Sequence, residues 1–241
     1  MTADIVRRAR LLLVAGGLAG ALAIGALSAT RSSTAAASVA APQGGTDPRA
    51  FEQWYRTQPR VTVPVAAAGA AVVIVKFTDY QCPACANTHF TFTPALAKYA
   101  AQVPGAVVLV SKHFPLNADC NPALAGPLHP AACEAAAAVE LARTQGRATA
   151  MEDWLYANHA ALTPVSIRQA AFTVGRVPDM AAGYRRALDA VRADAALGRL
   201  LGVTQTPTFF INGVKVARQT VLQPEELEVA IRYELQRTSG R

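Results

Sequence analysis

The sequence predicts an α/β protein in which a parallel βαβ unit and a later β-hairpin are separated by a long helical insertion. Three observations predict this class. A Val- and Ile-rich run over 71–77 precedes a helical segment and a second apolar run over 107–110. Strand signals then vanish from about 115 to 201, and Asn212-Gly213 finally joins two short β-prone runs. With 241 residues, 52% of them apolar, the chain is long enough to bury a core.

The first 41 residues are typical of an export signal. Three arginines precede the apolar run over 11–27, and small residues follow. Two outcomes stay open: cleavage at the small-residue site Ser38-Val39-Ala40, or retention as an inner-membrane anchor helix, for which the run is at the short end of a bilayer span. In both cases the rest of the chain is translocated. We therefore expect a periplasmic or other extracytoplasmic location.

Charge and cysteine content narrow the function classes. The net charge is +7, but the rest of the chain has no long basic block, so nucleic-acid binding is not indicated. Four cysteines in an exported chain favour disulfide chemistry. A zinc site would need two close-spaced pairs, whereas twelve residues separate Cys120 from Cys133. We expect no metal and no cofactor.

The predicted elements follow in order along the chain. Residues 42–60 are predicted to be a tether and a short helix over 48–58, and the folded domain is predicted over 61–241. The run over 71–77 is typical of a buried central strand. Pro83 suits the first turn of a helix that Pro104-Gly105 ends, and a strand over 107–110 completes a βαβ unit with parallel strands.

The second half of the chain is mainly helical. Within the insertion, about 115–201, the pattern predicts helices over 131–143, 148–160, 164–174 and 179–200. Two strands, over 208–212 and 214–217, are joined at Asn212-Gly213, a strong hairpin signal. A final helix is predicted from Pro224 to about Arg237.

The motif Cys82-Pro83-Ala84-Cys85 lies directly after the first strand, at the start of the helix. There the first thiol faces unpaired backbone N–H groups and the positive end of the helix dipole, which favour its thiolate. The spacing lets the second sulfur attack a mixed disulfide at the first. Cys82 is therefore predicted to be the attacking sulfur and Cys85 the resolving one. A static disulfide across one helical turn would stabilise little, because the closed loop is tiny.

A second motif precedes the hairpin. Pro207 cannot donate to a sheet, so it must begin the strand or hold a special geometry. The chain carries, in this order, Thr78-Asp79-Tyr80-Gln81-Cys82-Pro83-Ala84-Cys85 and Thr206-Pro207-Thr208-Phe209-Phe210-Ile211-Asn212-Gly213. Together with the insertion between them, these segments resemble the DsbA family of bacterial oxidoreductases over about 60–238. The resemblance implies a thioredoxin-like fold with an inserted helical domain and a thiol–disulfide oxidoreductase activity.

The resemblance also implies roles and partners. Pro207 would be cis and lie against the active-site disulfide, and the backbone of Thr206 would pair with an extended substrate. Substrates would be exported proteins with free thiols or disulfides. A quinone-linked membrane protein, DsbB-like or vitamin K epoxide reductase-like, would reoxidise the cysteine pair.

Three alternatives to an oxidase stay open: a membrane-fed reductase, an isomerase and a non-catalytic peptide-binding module. Thr206 is shared with the isomerase and reductase branches of the family. An isomerase would need a dimerisation domain, for which the region before Asp47 leaves little room. We therefore expect a monomer.

The chain departs from the family at two positions. Members usually carry an acidic residue six positions before the first active-site cysteine, where this chain has Lys76. Pointing inward, Lys76 would stabilise a nearby thiolate and its own pKa would fall with burial; pointing outward, the alternative we favour from sequence, it is an ordinary strand residue. Asp79 could supply a carboxylate instead. Ala84 stands where the strongest oxidants often have histidine, so the redox potential is not predicted.

Cys120 and Cys133 flank a segment rich in proline and glycine that cannot form a regular helix. The simplest account is a disulfide that staples this loop, worth about 3 kcal/mol by the chain-entropy model. The alternative is a second redox pair that exchanges electrons with Cys82 and Cys85.

Overall fold

A computed structural model of the chain describes residues 47–67, 69–216 and 221–240. The predicted export segment over 1–41 lies outside the described residues. The described elements are α1 (Pro48–Thr57), β1 (Val72–Thr78), α2 (Pro83–Gln102), β2 (Val107–His113), α3 (Ala132–Thr144), α4 (Ala148–Ala157), α5 (Pro164–Thr173), α6 (Met180–Leu200), β3 (Thr208–Ile211), β4 (Val214–Val216) and α7 (Pro224–Ser239), with a 3₁₀ turn at His159–Ala161. None of these described helices is long and apolar enough to cross a membrane.

The sheet has the order β2-β1-β3-β4 in the described part of the chain. β1 pairs with β2 in parallel and with β3 in antiparallel fashion, and β3 pairs with β4 in antiparallel fashion. The parallel pairing predicted for the βαβ unit is therefore confirmed. All residues of β1 except Val73 are buried, because β1 is a central strand covered on both faces.

β2 is longer than the sequence pattern predicts. It runs on to His113, which pairs with Thr78 at the end of β1. The prediction stopped at Val110 because the polar residues that follow hide the strand signal. One of these polar residues, Lys112, is accommodated there by an ion pair with Asp194 at 2.7 Å.

The helices α3 to α6 lie between β2 and β3 in the chain, as the pattern predicts, and α3 contacts the other three. All six alanines of α3 are buried, and their small side chains allow neighbouring helices to approach closely. α4 ends at Ala157, three residues before the predicted end at 160. The next residue, Asn158, caps the helix, because its side chain donates to the carbonyl of Trp154. Cys82 and Cys85 belong to the apolar cluster formed by these helices. The cysteine motif thus lies where the sheet meets the helical insertion.

The Asn212-Gly213 turn forms as predicted. Both residues have positive φ, 44° and 82°, which a tight hairpin turn requires. The Asn212 side chain accepts from the N–H of Val73 at 2.8 Å and donates to the carbonyl of Ala71 at 2.9 Å, which fixes the turn to β1. A side chain at position 213 would collide with the carbonyl oxygen of Val61, so glycine is needed there.

Candidate active site

Cys82 and Cys85 lie at the N-terminus of α2, where Cys82 is the N-cap residue and Pro83 occupies the first helical position. Both are free thiols in the described structure. Cys85 is wholly buried and Cys82 is 6% exposed, so Cys82 is the sulfur nearer to solvent. Ala84 is half-buried and packs against the helical cluster. The geometry places the two sulfurs as the sequence predicts for an attacking and a resolving cysteine.

The two thiols differ in acidity. A hydrogen bond from the Cys85 thiol lowers the pKa of Cys82 to about 6; burial opposes this, and the Cys85 backbone N–H assists it. Burial raises the pKa of Cys85, and the adjacent Cys82 raises it further. At neutral pH the outer sulfur is therefore a thiolate and the inner one a thiol.

Thr206 and Pro207 lie against the outer sulfur. The Thr206–Pro207 peptide bond is cis, as the resemblance implies. Cys82 Sγ donates to the carbonyl oxygen of Thr206 at 3.6 Å, and Pro207 is buried at the start of β3. Within the described residues, the Thr206 hydroxyl is buried without a hydrogen-bond partner. It is therefore available as a donor when Cys82 ionises, and it contributes to the low pKa of Cys82.

Lys76 points inward, so the outward orientation favoured from sequence is wrong. Its side chain is 3% exposed, and Nζ donates to the carbonyl of Cys85 at 3.2 Å and lies 4.6 Å from the centre of the Tyr156 ring. The physical reason is that β1 is a central strand covered on both faces, so a side chain on either face points into the protein. Burial lowers the pKa of Lys76, and the negative charges of Cys85, Glu152 and Cys82 oppose that shift.

A cleft of about 630 Å³ reaches Lys76 from the surface between α2, β2 and α4. Glu152 and Ser111 line it with Lys76, and the Glu152 carboxylate accepts from the hydroxyl of Tyr80 at 3.1 Å. Sequence reasoning missed Glu152 and Tyr156. Their spacing of four residues places both on one face of α4, but nothing in the sequence indicates that this face turns toward β1.

Asp79 holds the backbone around the motif. Its buried carboxylate accepts from the N–H of Gln81 and the N–H of Leu116, each at 2.7 Å, and from His129 Nδ1 at 2.9 Å. The carboxylate anticipated from sequence is thus present at the motif, engaged by three donors. His129 was also missed from sequence.

Cys120 and Cys133 form a disulfide with a Cα–Cα distance of 5.9 Å. Both are buried, and both belong to the same apolar cluster as Cys82 and Cys85. The bond closes the irregular segment between β2 and α3.

The chain thus combines a thioredoxin-like fold with two cysteines of different acidity beside a cis-proline. This combination defines the class of the thiol–disulfide oxidoreductases. A family model described as thioredoxin matches residues 63–232, more than half of the chain. The chain belongs to the thioredoxin family.

Solved structures with the same fold include DsbA-like proteins, which confirms the predicted resemblance. BdbD from Bacillus subtilis is 18% identical, with a TM-score of 0.56, and the match covers 75% of this chain and 94% of that one. For α-DsbA1 from Wolbachia pipientis the values are 18% identity, a TM-score of 0.55 and coverage of 71% and 89%. A periplasmic thioredoxin-like protein from Salmonella enterica is 21% identical, with a TM-score of 0.52 and coverage of 81% and 99%. At these identities the similarity establishes the fold.

Curated relatives match over a shorter part of their length. The Na(+)/H(+) antiporter NhaA 3 of Salinispora tropica is 30% identical over 147 residues, 60% of this chain and 20% of that protein. The Na(+)/H(+) antiporter NhaA 1 of a Mycobacterium species is 29% identical over 149 residues, 60% of this chain and 22% of that protein. The chain spans about a fifth of the length of the curated relatives it matches.

Proposed function

We propose that the chain is an exported oxidase that introduces disulfides into exported proteins through Cys82 and Cys85. The observation that carries the proposal is the difference between the two thiols. A pKa of about 6 at Cys82 stabilises the reduced, thiolate form of the pair. Whatever stabilises the reduced form makes the Cys82–Cys85 disulfide the stronger oxidant.

The reaction begins at the outer sulfur. A substrate thiolate attacks Cys82 Sγ, the Cys82–Cys85 bond breaks, and the Cys85 sulfur leaves and takes up a proton. A second substrate thiolate then attacks the substrate sulfur of the mixed disulfide and expels Cys82 as a thiolate. The substrate loses two electrons and the cysteine pair gains them. The low pKa of Cys82 favours this second step, because a more acidic thiol leaves faster.

Three neighbouring groups support these steps. The Thr206 hydroxyl stabilises the departing Cys82 thiolate, and its backbone offers a pairing surface to an extended substrate. The Lys76 ammonium stabilises negative charge as the Cys85 sulfur leaves, and a cleft from the surface reaches Lys76 itself. Asp79 fixes the turn that presents Cys82.

Location and partners complete the proposal. The export signal predicted from sequence would place the domain outside the cytoplasm, and one structurally similar protein is described as periplasmic. A quinone-linked membrane protein, DsbB-like or vitamin K epoxide reductase-like, would reoxidise the pair. The Cys120–Cys133 disulfide would stabilise the loop rather than carry electrons.

The test is stoichiometric oxidation of a reduced, unfolded protein with two cysteines by the oxidised chain. We expect one substrate disulfide to form for each Cys82–Cys85 pair reduced. Cys82→Ser should abolish transfer, whereas Cys85→Ser, treated with a substrate carrying an activated disulfide, should hold a mixed disulfide at Cys82. Reduction of substrate disulfides by the reduced chain, without the oxidising reaction, would contradict the proposed direction.

A further inference from the structure

The loop between β2 and α3, residues 114–131, is bonded directly to the residues that precede Cys82. We call it the stapled loop, because the Cys120–Cys133 disulfide closes it. Near its start, the N–H of Leu116 donates to Asp79 Oδ2, and near its end His129 Nδ1 donates to the same oxygen. At its last residue, the N–H of Ala131 donates to Gln81 Oε1 at 2.9 Å. Both ends of the loop therefore hold the segment that presents the attacking sulfur.

The pair His129 and Asp79 is largely withdrawn from water. The Asp79 side chain is wholly buried, and that of His129 is 16% exposed. A buried carboxylate is costly unless hydrogen bonds and a positive charge compensate it. The hydrogen bond to Asp79 raises the pKa of His129; burial opposes this shift, and the charges of Asp79 and Cys82 add to it. The imidazolium form is therefore favoured when Cys82 is a thiolate.

The buried Asp79 carboxylate disfavours the thiolate form of the attacking sulfur. Its negative charge raises the pKa of Cys82, and therefore acts against the thiolate on which the chemistry depends. Among the described residues, two cations face this region: Lys76 from β1, which interacts with both cysteines, and His129 from the stapled loop. Of these two, His129 is the one that is hydrogen-bonded to the carboxylate.

We propose that His129 is a positioning residue for the Cys82 thiolate: its protonated ring binds Asp79 and offsets the repulsion between that carboxylate and the sulfur. The inference rests on the proposed exchange chemistry at Cys82. The effect is reciprocal, because a thiolate that favours protonation of His129 must itself be favoured by the protonated ring. Asp79 can then organise the backbone of the motif without suppressing the thiolate.

The test is the pH dependence of Cys82 alkylation in the full-length reduced chain, with iodoacetamide as the probe and mass spectrometry to assign the modified cysteine. His129→Asn removes the positive charge beside Asp79. We expect the midpoint of the curve of Cys82 alkylation rate against pH to rise by about one pH unit. His159→Asn is the matched control: the Nδ1 of His159 bonds to the carbonyl of Tyr156 rather than to Asp79, and the midpoint should not move. An unchanged midpoint in His129→Asn, with an unchanged Tm, would overturn the proposal.

A second variant keeps the test decisive if His129→Asn does not fold. His129→Lys retains a cation near Asp79, so its midpoint should be at or below that of the unaltered chain. A midpoint raised in the folded Lys variant would also count against the role. Substrate oxidation by the unaltered chain is measured on the same preparation. Because alkylation needs no redox partner, a failure of the oxidase proposal and a failure of the His129 proposal give different results.

Discussion

The Lys76 ammonium lies 3.2 Å from the carbonyl oxygen of Cys85, so a buried cation stands directly behind the resolving cysteine. DsbA-family members usually have an acidic residue at this position. A cation there acts on the chemistry differently, because it stabilises the Cys85 thiolate by charge. The low exposure of Lys76 strengthens this interaction, since fewer water molecules screen it.

Lys76→Met is expected to slow the resolving step. Without the cation the pKa of Cys85 rises further, and each unit of increase lowers its thiolate fraction about tenfold. The measurement is the reaction of the reduced chain with an aromatic disulfide reagent that releases a coloured thiolate. The first phase, at Cys82, should change little, whereas the second phase, at Cys85, should slow by about tenfold at pH 7.

Lys112→Met is the control for that experiment. Lys112 is likewise a lysine of the sheet, on β2 rather than β1, but it pairs with Asp194 on α6 at 2.7 Å and does not contact either active-site cysteine in the described structure. In the Lys112→Met variant, the second phase of the reaction with the disulfide reagent, at Cys85, should be as fast as in the unaltered chain. Equal slowing in both variants would mean that Lys76 acts through general stability rather than through its charge at Cys85.

The pH dependence of Cys82 follows from its pKa of about 6. Alkylation of Cys82 should rise with a midpoint near pH 6, well below that of an unfolded thiol. The pKa of Cys82 is lower in the folded chain than in the unfolded chain, so ionisation of Cys82 stabilises the reduced fold. This stabilisation is complete above the pKa of the unfolded thiol and is lost as pH falls through about 6. The Tm of the reduced chain, relative to the oxidised chain, should therefore increase from pH 5 to pH 8.

Thr206→Val tests the hydroxyl beside Cys82. The change removes a hydroxyl that helps to lower the pKa of Cys82, so the alkylation midpoint should rise, while stability should not fall because that hydroxyl has no hydrogen-bond partner among the described residues. Thr208→Val is the matched control. The Thr208 hydroxyl donates to the carbonyl of Gln205, so this variant should lose stability and keep the midpoint. The opposite pattern would exclude the role assigned to Thr206.

Removal of both Cys120 and Cys133, by substitution with alanine, distinguishes a staple from a redox shuttle. The disulfide spans a sequence separation of 13, which corresponds to about 3 kcal/mol in the chain-entropy model. Tm should fall by roughly 6–12 °C for a domain of this size. At a temperature where the variant is folded, oxidation of substrate by Cys82–Cys85 should persist. Loss of that reaction in the folded variant would favour the shuttle.

Local signals accounted for much of the fold and the motif. Asn212-Gly213 predicted the hairpin because positive φ at two successive positions is a local requirement. The position of Cys82 at the start of α2 also followed from neighbouring residues, since Pro83 marks the first helical turn.

The surroundings of the cysteines did not follow from local signals. The direction of Lys76 depends on the burial of β1 on both faces, and strand periodicity cannot distinguish one buried face from the other. The role of His129 depends on a hydrogen bond across 50 positions of sequence, made by a loop without regular structure. Such contacts are decided by tertiary packing, which a single sequence does not display.

The most direct test of the central claim is the equilibrium of the Cys82–Cys85 pair with glutathione, followed by thiol trapping, with Cys120 and Cys133 retained. The account predicts a potential more oxidising than that of thioredoxin, toward the value of about −120 mV at which the strongest oxidant of this class lies. A potential of about −270 mV, typical of thioredoxin, would contradict the oxidase and indicate a reductant instead.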